Sequence, residues 1–223
     1  MKTQLKQLIF GKGFKKRRFI GGKLKGLWGY FDLAQDTQSW RGIYEVEQQD
    51  WLQRATKPGS VCIDVGAAEG FFSLLFGKLA GSSGQVISFE PTGRGEEIEN
   101  LFAWNASMGV ASLEIVREFA IGPNTTEVQG VSVDTVVGKM ALSRVDVVKI
   151  DVDGAEMDVL EGMRGVIEKF HPHLSVELHS PELYAQVKAF LEGYGYEMKL
   201  VDPPAYELRP IPFNKFYFSQ LPS

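Results

Sequence analysis

The feature that most constrains this fold is the stretch VCIDVGAAEGFFSLLF, residues 61–76. It opens as a near-continuous apolar strand, breaks at Gly66 and Gly70, and resumes as an apolar run with helical spacing. A strand of that kind is buried on both faces, as happens when helices cover both sides of a parallel sheet. Gly66 permits a tight turn and Gly70 a close approach of the following helix. The helix start leaves N–H groups unpaired and carries a partial positive charge, so the gap between Asp64 and Phe71 suits a nucleotide-like molecule.

The rest of the chain alternates in the same manner. SVCIDV (60–65) reads as a strand, EGFFSLLFGKLA (69–80) as a helix, GQVISFE (84–90) as a strand and RGEEIENLFAWNASMG (94–109) as a helix. SLEIVREFAIG (112–122) continues the series. After a loop come VDVVKIDVDG (145–154), a helix over about 155–170, HLSVELH (173–179) and a helix from Pro181 to about Tyr194. YEMKLVD (196–202) and NKFYFSQ (214–220) are two strands joined by a Pro-rich connection without a helix. The expected fold is therefore α/β and Rossmann-like, a mostly parallel sheet closed by an antiparallel last strand, with helices on both faces. In such a sheet ligands bind outside the carboxyl ends of the strands, where strand order reverses.

Spacing narrows the ligand. A dinucleotide fingerprint needs three glycines as G-x-G-x-x-G, whereas Gly66-Ala67-Ala68-Glu69-Gly70 lacks the middle one and puts Glu69 where a pyrophosphate would be repelled. A nucleotide-linked oxidoreductase is disfavoured on that ground. The second strand ends in Glu90, 20 residues after Gly70, where a carboxylate can accept both hydroxyls of a ribose. A ligand with a ribose but no phosphate is favoured, and S-adenosylmethionine is the common cytoplasmic one. Simple helix capping is the alternative role for Asp64 and Glu90.

A chain of 223 residues with 44% hydrophobic content can bury one good core. Residues 41–223 are expected to form one domain, preceded by a basic arm and hairpin over residues 1–40. Of the 24 bases nine precede the first acid, Asp32, which leaves 15 bases against all 28 acids in the remainder. The arm reads most simply as a solvated tail followed by a hairpin in GGKLKGLWGYFDL; contact with an anionic surface, or with the protein's own acidic body, is the other possibility. A non-catalytic domain binding an anionic partner through this arm is the rival function. No apolar run approaches the ~20 residues of a membrane span, and the first 25 residues are too charged for a signal peptide, so a cytoplasmic location is expected. The single cysteine, Cys62, falls inside a strand and reads as a small core residue.

At these motifs the chain resembles the FkbM-type S-adenosylmethionine-dependent methyltransferases. The resemblance runs over GIYEVEQQDWL (42–52), VCIDVGAAEGFFSLLF, QVISFEPT, SVDTV, VDVVKIDVDGAEMDVLEGM and LSVELH, and its most specific part is KIDVDGAEMDVLEGM (149–163). It implies a seven-stranded methyltransferase sheet, S-adenosylmethionine as methyl donor, S-adenosylhomocysteine as product, and a hydroxyl on a small molecule, sugar or lipid as acceptor. It places Asp64, Gly66, Ala67, Ala68, Glu69 and Gly70 at the methionine end of the cofactor, Glu90 and Pro91 at the ribose, and Phe119 and Ala120 at the adenine. Ordinary core packing is the alternative for Phe119. The chain departs from the family's usual G-A-N-x-G loop, with Ala68 in place of the asparagine, and the segment from Gly122 to Val131 is short.

On the reacting side, methyl transfer needs alignment, and an alcohol must also lose its proton. Asp151, at the end of the fourth strand, and His179, just after the fifth, are the candidate catalytic residues. Asp153, Glu156 and Glu177 are candidate acceptor contacts, with helix capping the alternative for Glu156 and a structural role the alternative for His179. Asp151, Asp153, Glu177 and His179 offer metal-ligating atoms, but no sequence spacing fixes such a site and no metal is assigned. His171 and His173 lie at the opposite end of the sheet and read as surface residues. Trp28, Tyr30, Phe31, Trp40, Tyr44 and Trp51 either cover the crevice or simply pack the arm.

Overall fold

The computed structural model describes residues 11–200 and 215–220. An antiparallel hairpin, β1 (Lys15–Arg18) with β2 (Trp28–Phe31), opens the chain. The basic run KKRR is itself the first strand, and most of GGKLKG forms the connection, because Phe19 and Gly26 close the hairpin through backbone hydrogen bonds. Helices α1 (Gln38–Arg41) and α2 (Val46–Ala55) lead into β3 (Val61–Val65), α3 (Phe71–Ala80), β4 (Gln85–Phe89), α4 (Gly95–Asn105) and β5 (Ser112–Val116). The short pair β6 (Phe119–Ala120) and β7 (Gly130–Val131) precedes α5 (Val133–Lys139) and β8 (Val147–Ile150). Then come α6 (Glu156–Glu161), α7 (Arg164–Phe170), β9 (His173–Glu177), α8 (Pro181–Glu192), β10 (Tyr196–Leu200) and β11 (Lys215–Gln220).

The main sheet runs β10-β11-β9-β8-β3-β4-β5. The five strands from β9 to β5 are parallel, and β11 lies antiparallel between β9 and β10. The Pro-rich connection falls outside the described residues. From β3 the chain moves outward through β4 and β5, then crosses back to β8 and β9. Strand order therefore reverses between β3 and β8.

Alternation along the strands sorts their side chains to two faces. Ile63, Val65, Val148 and Ile150 face one buried cluster with Val136, Leu160, Ile167 and Leu191 from α5 to α8. Cys62, Val86 and Val147 face the other, with Leu52 of α2, Leu75 of α3 and Ile98 of α4. Phe19, Leu24, Leu27, Phe31 and Leu33 of the hairpin region belong to this second cluster, so that segment is packed and not merely solvated.

Two elements differ from expectation. The helix foreseen over 155–170 is two helices, because Gly162 packs against the Ile121 carbonyl and Asp134 caps α7 by accepting from Gly165 N (2.9 Å) and Val166 N (2.8 Å). The segment 112–122 is likewise two strands, broken at Arg117 and Glu118, where the chain leaves the main sheet to pair Phe119 with Gly130.

Candidate functional site

One row of the sheet is polar from strand to strand. Ser88, Asp64, Lys149 and Ser175 are register neighbours on β4, β3, β8 and β9, and all four are buried. Two helices satisfy the row from above. Ser88 Oγ donates to Ser73 Oγ of α3 (2.9 Å), Ser73 Oγ donates to Asp64 Oδ2 (2.6 Å), and Gln48 Nε2 of α2 donates to Ser175 Oγ (2.9 Å). The Lys149 ammonium lies 3.7 Å from Asp64 Oδ1 and 3.2 Å from Asp151 Oδ2, over the Phe72 ring. Burial alone would lower the Lys149 pKa, but Asp64, Asp151 and Glu45 outweigh it and hold the ammonium charged. Burial pushes the Asp64 carboxyl up, against the pull of Lys149 and Ser73. Sequence reasoning missed Lys149. Its signal was a lone lysine in the apolar strand VVKI, a position that cannot be buried without partners.

The loop after β3 sits where strand order reverses. Gly66 has φ 82°, and a Cβ there would lie 1.9 Å from the Asp151 carbonyl oxygen, so no other residue fits without moving β8. Ala68 is left-handed at φ 49°, a conformation that asparagine tolerates better than alanine. This is the position at which the chain departs from the family's usual loop. Glu90, 4% exposed at the end of β4, holds the loop: Oε2 accepts from Ala68 N (2.8 Å) and Oε1 from Thr92 N (2.8 Å) and the Thr92 hydroxyl. Pro91 is half-buried beside it. Glu69 is exposed and paired with Arg94. Phe119 is 48% exposed beyond the end of β5, with Ala120 partly buried next to it, so Phe119 is not an ordinary core side chain.

At the reacting end the geometry is tighter. His179 Nδ1 lies 2.7 Å from Glu156 Oε1, which also accepts from Gly154 N at 3.1 Å. Glu156 is wholly buried, so it orients His179 and does not reach out as the expected acceptor contact. His179 Nε2 lies 3.7 Å from Asp151 Oδ1 and 3.6 Å from Asp153 Oδ1. Burial would lower the His179 pKa, yet the Glu156 hydrogen bond and the charges of Glu156, Asp151 and Glu177 outweigh it, leaving the value raised. Asp151, Asp153 and His179 each bring a ligand atom within 4.8 Å of the others. Glu177 is half-buried and outside that group. His171 and His173, at the far end of β9, are exposed.

A cavity of about 300 Å³ joins the loop to the hairpin. Ala67, Ala68, Glu69, Lys149 and Asp151 line one side, and Phe14, Phe19, Tyr30, Phe31 and Tyr44 line the other. Three of the aromatics expected to cover the crevice or pack the arm, Tyr30, Phe31 and Tyr44, therefore contribute to it. Burial and the charges of Glu45, Asp151 and Glu177 push the Tyr44 phenol far up, so it stays protonated. Non-glycine residues with left-handed backbone are Glu45, Ala68, Ala141, Asp153 and His171, and the first two and Asp153 stand around this region.

The model of the Methyltransferase FkbM domain matches residues 64–198. The chain belongs to the FkbM methyltransferase family. No curated protein matches it in sequence. Among solved structures it is similar to an FkbM methyltransferase from Methylobacillus flagellatus KT, with TM-score 0.56, 15% identity, and coverage of 82% of this chain and 55% of that one. It is also similar to an S-adenosylmethionine-dependent O-methyltransferase from Thermotoga maritima (TM-score 0.53, 15% identity, 97% and 82% covered). A third is an rRNA methylase from Streptococcus thermophilus (TM-score 0.51, 13% identity, 78% and 95% covered). At these identities the likeness is one of fold. The FkbM chain thus has an α/β methyltransferase fold with a mostly parallel sheet, and no described helix is long and apolar enough to cross a membrane.

Proposed function

We propose that this family member is an S-adenosylmethionine-dependent O-methyltransferase acting on a hydroxyl of a small-molecule, sugar or lipid acceptor. The observation that carries the proposal is the junction at the switch point, where the nearly buried Glu90 grips the Gly66–Gly70 loop through Ala68 N–H. The residues fit the cofactor. Gly66 lets the loop's backbone lie against the end of β8 where no Cβ fits. Glu90 Oε2, which accepts only from Ala68 N among the described residues, keeps a site for one ribose hydroxyl, and the Thr92 hydroxyl, by turning away from Oε1, would yield a second. Asp64 and residues Gly66–Gly70 would hold the methionine end, Glu90 with Pro91 the ribose, and Phe119 with Ala120 the adenine. When bound, S-adenosylmethionine supplies a sulfonium methyl: the acceptor O–CH3 bond forms as the CH3–S bond breaks, and sulfur keeps the electron pair.

The chain's own part is alignment and proton handling. Lys149 and Glu156 fix Asp151 and His179 from behind, so that these two face the acceptor hydroxyl and manage its proton, with Asp153 and Glu177 at the rim. The aromatic wall given by the hairpin favours an acceptor with a flat or apolar face. A lone buried thiol and a cofactor of intracellular metabolism fit a cytoplasmic enzyme. The test is Asp151→Asn, which keeps shape and removes charge. Turnover measured with labelled methyl donor over pooled sugars, lipids and polyketides should fall, while S-adenosylhomocysteine affinity stays within about twofold. Wild-type turnover by the variant would remove Asp151 from the reacting end.

A further inference from the structure

Beyond β8 and β9, His179 Nε2 stands near both Asp151 Oδ1 and Asp153 Oδ1, and the three residues each bring a ligand atom within 4.8 Å of the others. The two N···O separations, 3.7 and 3.6 Å, are too long for hydrogen bonds. They do match ligands that share one ion: atoms ~2.1 Å from a metal stand roughly 3.0 Å apart at a right angle and about 4.2 Å apart straight across. We propose that Asp151, Asp153 and His179 bind a divalent transition-metal cation. This deepens the methyltransferase reading and rests on it for the cation's role, since the ion would sit where the acceptor hydroxyl must lose its proton.

Two of the three ligands are already oriented by neighbours. Lys149 holds Asp151 by Oδ2 and leaves Oδ1 free to face the ion. Glu156 takes the Nδ1 side of His179, which fixes the tautomer with its lone pair on Nε2, the arrangement of carboxylate–histidine–metal sites. Glu156 gives an independent pointer. It is wholly buried, and its Oε2 has no hydrogen-bond partner among the described residues. A buried carboxylate in that position calls for positive charge on the far side of the ring. Asp151, Asp153 and Glu177 add further negative charge around one imidazole. Two carboxylates and an imidazole suit manganese, zinc or ferrous iron over calcium or magnesium, which favour all-oxygen sites. Three protein ligands leave positions open to an acceptor oxygen.

The probe is Mn2+, titrated into chelator-treated full-length protein and followed by the electron paramagnetic resonance signal of the free ion, with Zn2+ as competitor. Wild type should take up one saturable equivalent that Zn2+ displaces. Asp153→Asn, at a 98% exposed side chain whose left-handed backbone asparagine tolerates, and His179→Ala should each weaken binding at least tenfold. Glu156→Gln should weaken it by roughly 10- to 100-fold as an orienting residue. Should that buried substitution prevent folding, Asp153→Asn decides alone. Absence of saturable Mn2+ or Zn2+ binding in wild type, or unchanged binding in the Asp153 and His179 variants, overturns the site. Calorimetry with S-adenosylhomocysteine on the same sample separates the two ideas. Nucleoside bound without metal discards the cation alone, whereas metal bound without nucleoside discards the methyltransferase reading and leaves the ion site standing.

Discussion

Replacing Lys149 by methionine, a side chain of similar length, removes the one ammonium that lies between Asp64 and Asp151. At 3.7 and 3.2 Å, with an effective dielectric near 20, each contact is worth roughly 4–5 kcal/mol of attraction. Most of that is offset by the desolvation of the ions, and breaking a buried pair by removing one partner costs about 3–5 kcal/mol. The loss falls on Asp64, because Asp151 is 28% exposed and can rehydrate while Asp64 is sealed. Urea unfolding followed by tryptophan fluorescence reads the effect. With a slope of ~2–3 kcal/mol per molar, the midpoint should drop by roughly 1–2 M. Asp64→Asn combined with Lys149→Met leaves no unpaired buried charge and should recover at least about 1 kcal/mol. If Lys149→Met leaves the midpoint within ~0.3 M of wild type, or the double variant is no better than the single, the polar row is not held by this charge.

Gly66→Ala meets both a left-handed backbone and the Asp151 carbonyl and should cost about 2–5 kcal/mol, whereas Gly93→Ala, equally left-handed but with open space around it, should cost only ~1–2 kcal/mol; equal losses in urea would refute the steric part. Ala68→Gly relieves a left-handed alanine and should raise stability by about 0.5–1 kcal/mol, and a loss would mean the loop gains nothing from a freer backbone. Burial pushes the Cys62 thiol far up, so a chromogenic disulfide reagent should label it only after denaturation; rapid labelling of native protein would show that β3 opens.

The sequence carried the parallel sheet because β3, β4 and β8 each announce themselves as short apolar runs followed by glycine or acid. Glu90 and the Gly66 loop were legible by spacing alone. Lys149, Ser88 and Ser175 were not, since each is one polar residue in an apolar strand and only the register places them in a row. Glu156 looked like a cap or an acceptor contact, and only the fold brings it within 2.7 Å of His179, 23 residues on. The break between α6 and α7 was hidden for a similar reason: its cap, Asp134, comes from α5 far earlier in the chain. Local propensity cannot report a partner that distant.

Calorimetry of the full chain with S-adenosylmethionine, S-adenosylhomocysteine and NAD side by side tests the central claim most directly. The account predicts micromolar binding of the first two, none of NAD, and for Glu90→Ala a loss of roughly 2–4 kcal/mol in affinity as its charge-assisted hydrogen bonds to the ribose disappear. Binding of NAD, or S-adenosylmethionine affinity unchanged in Glu90→Ala, would contradict it.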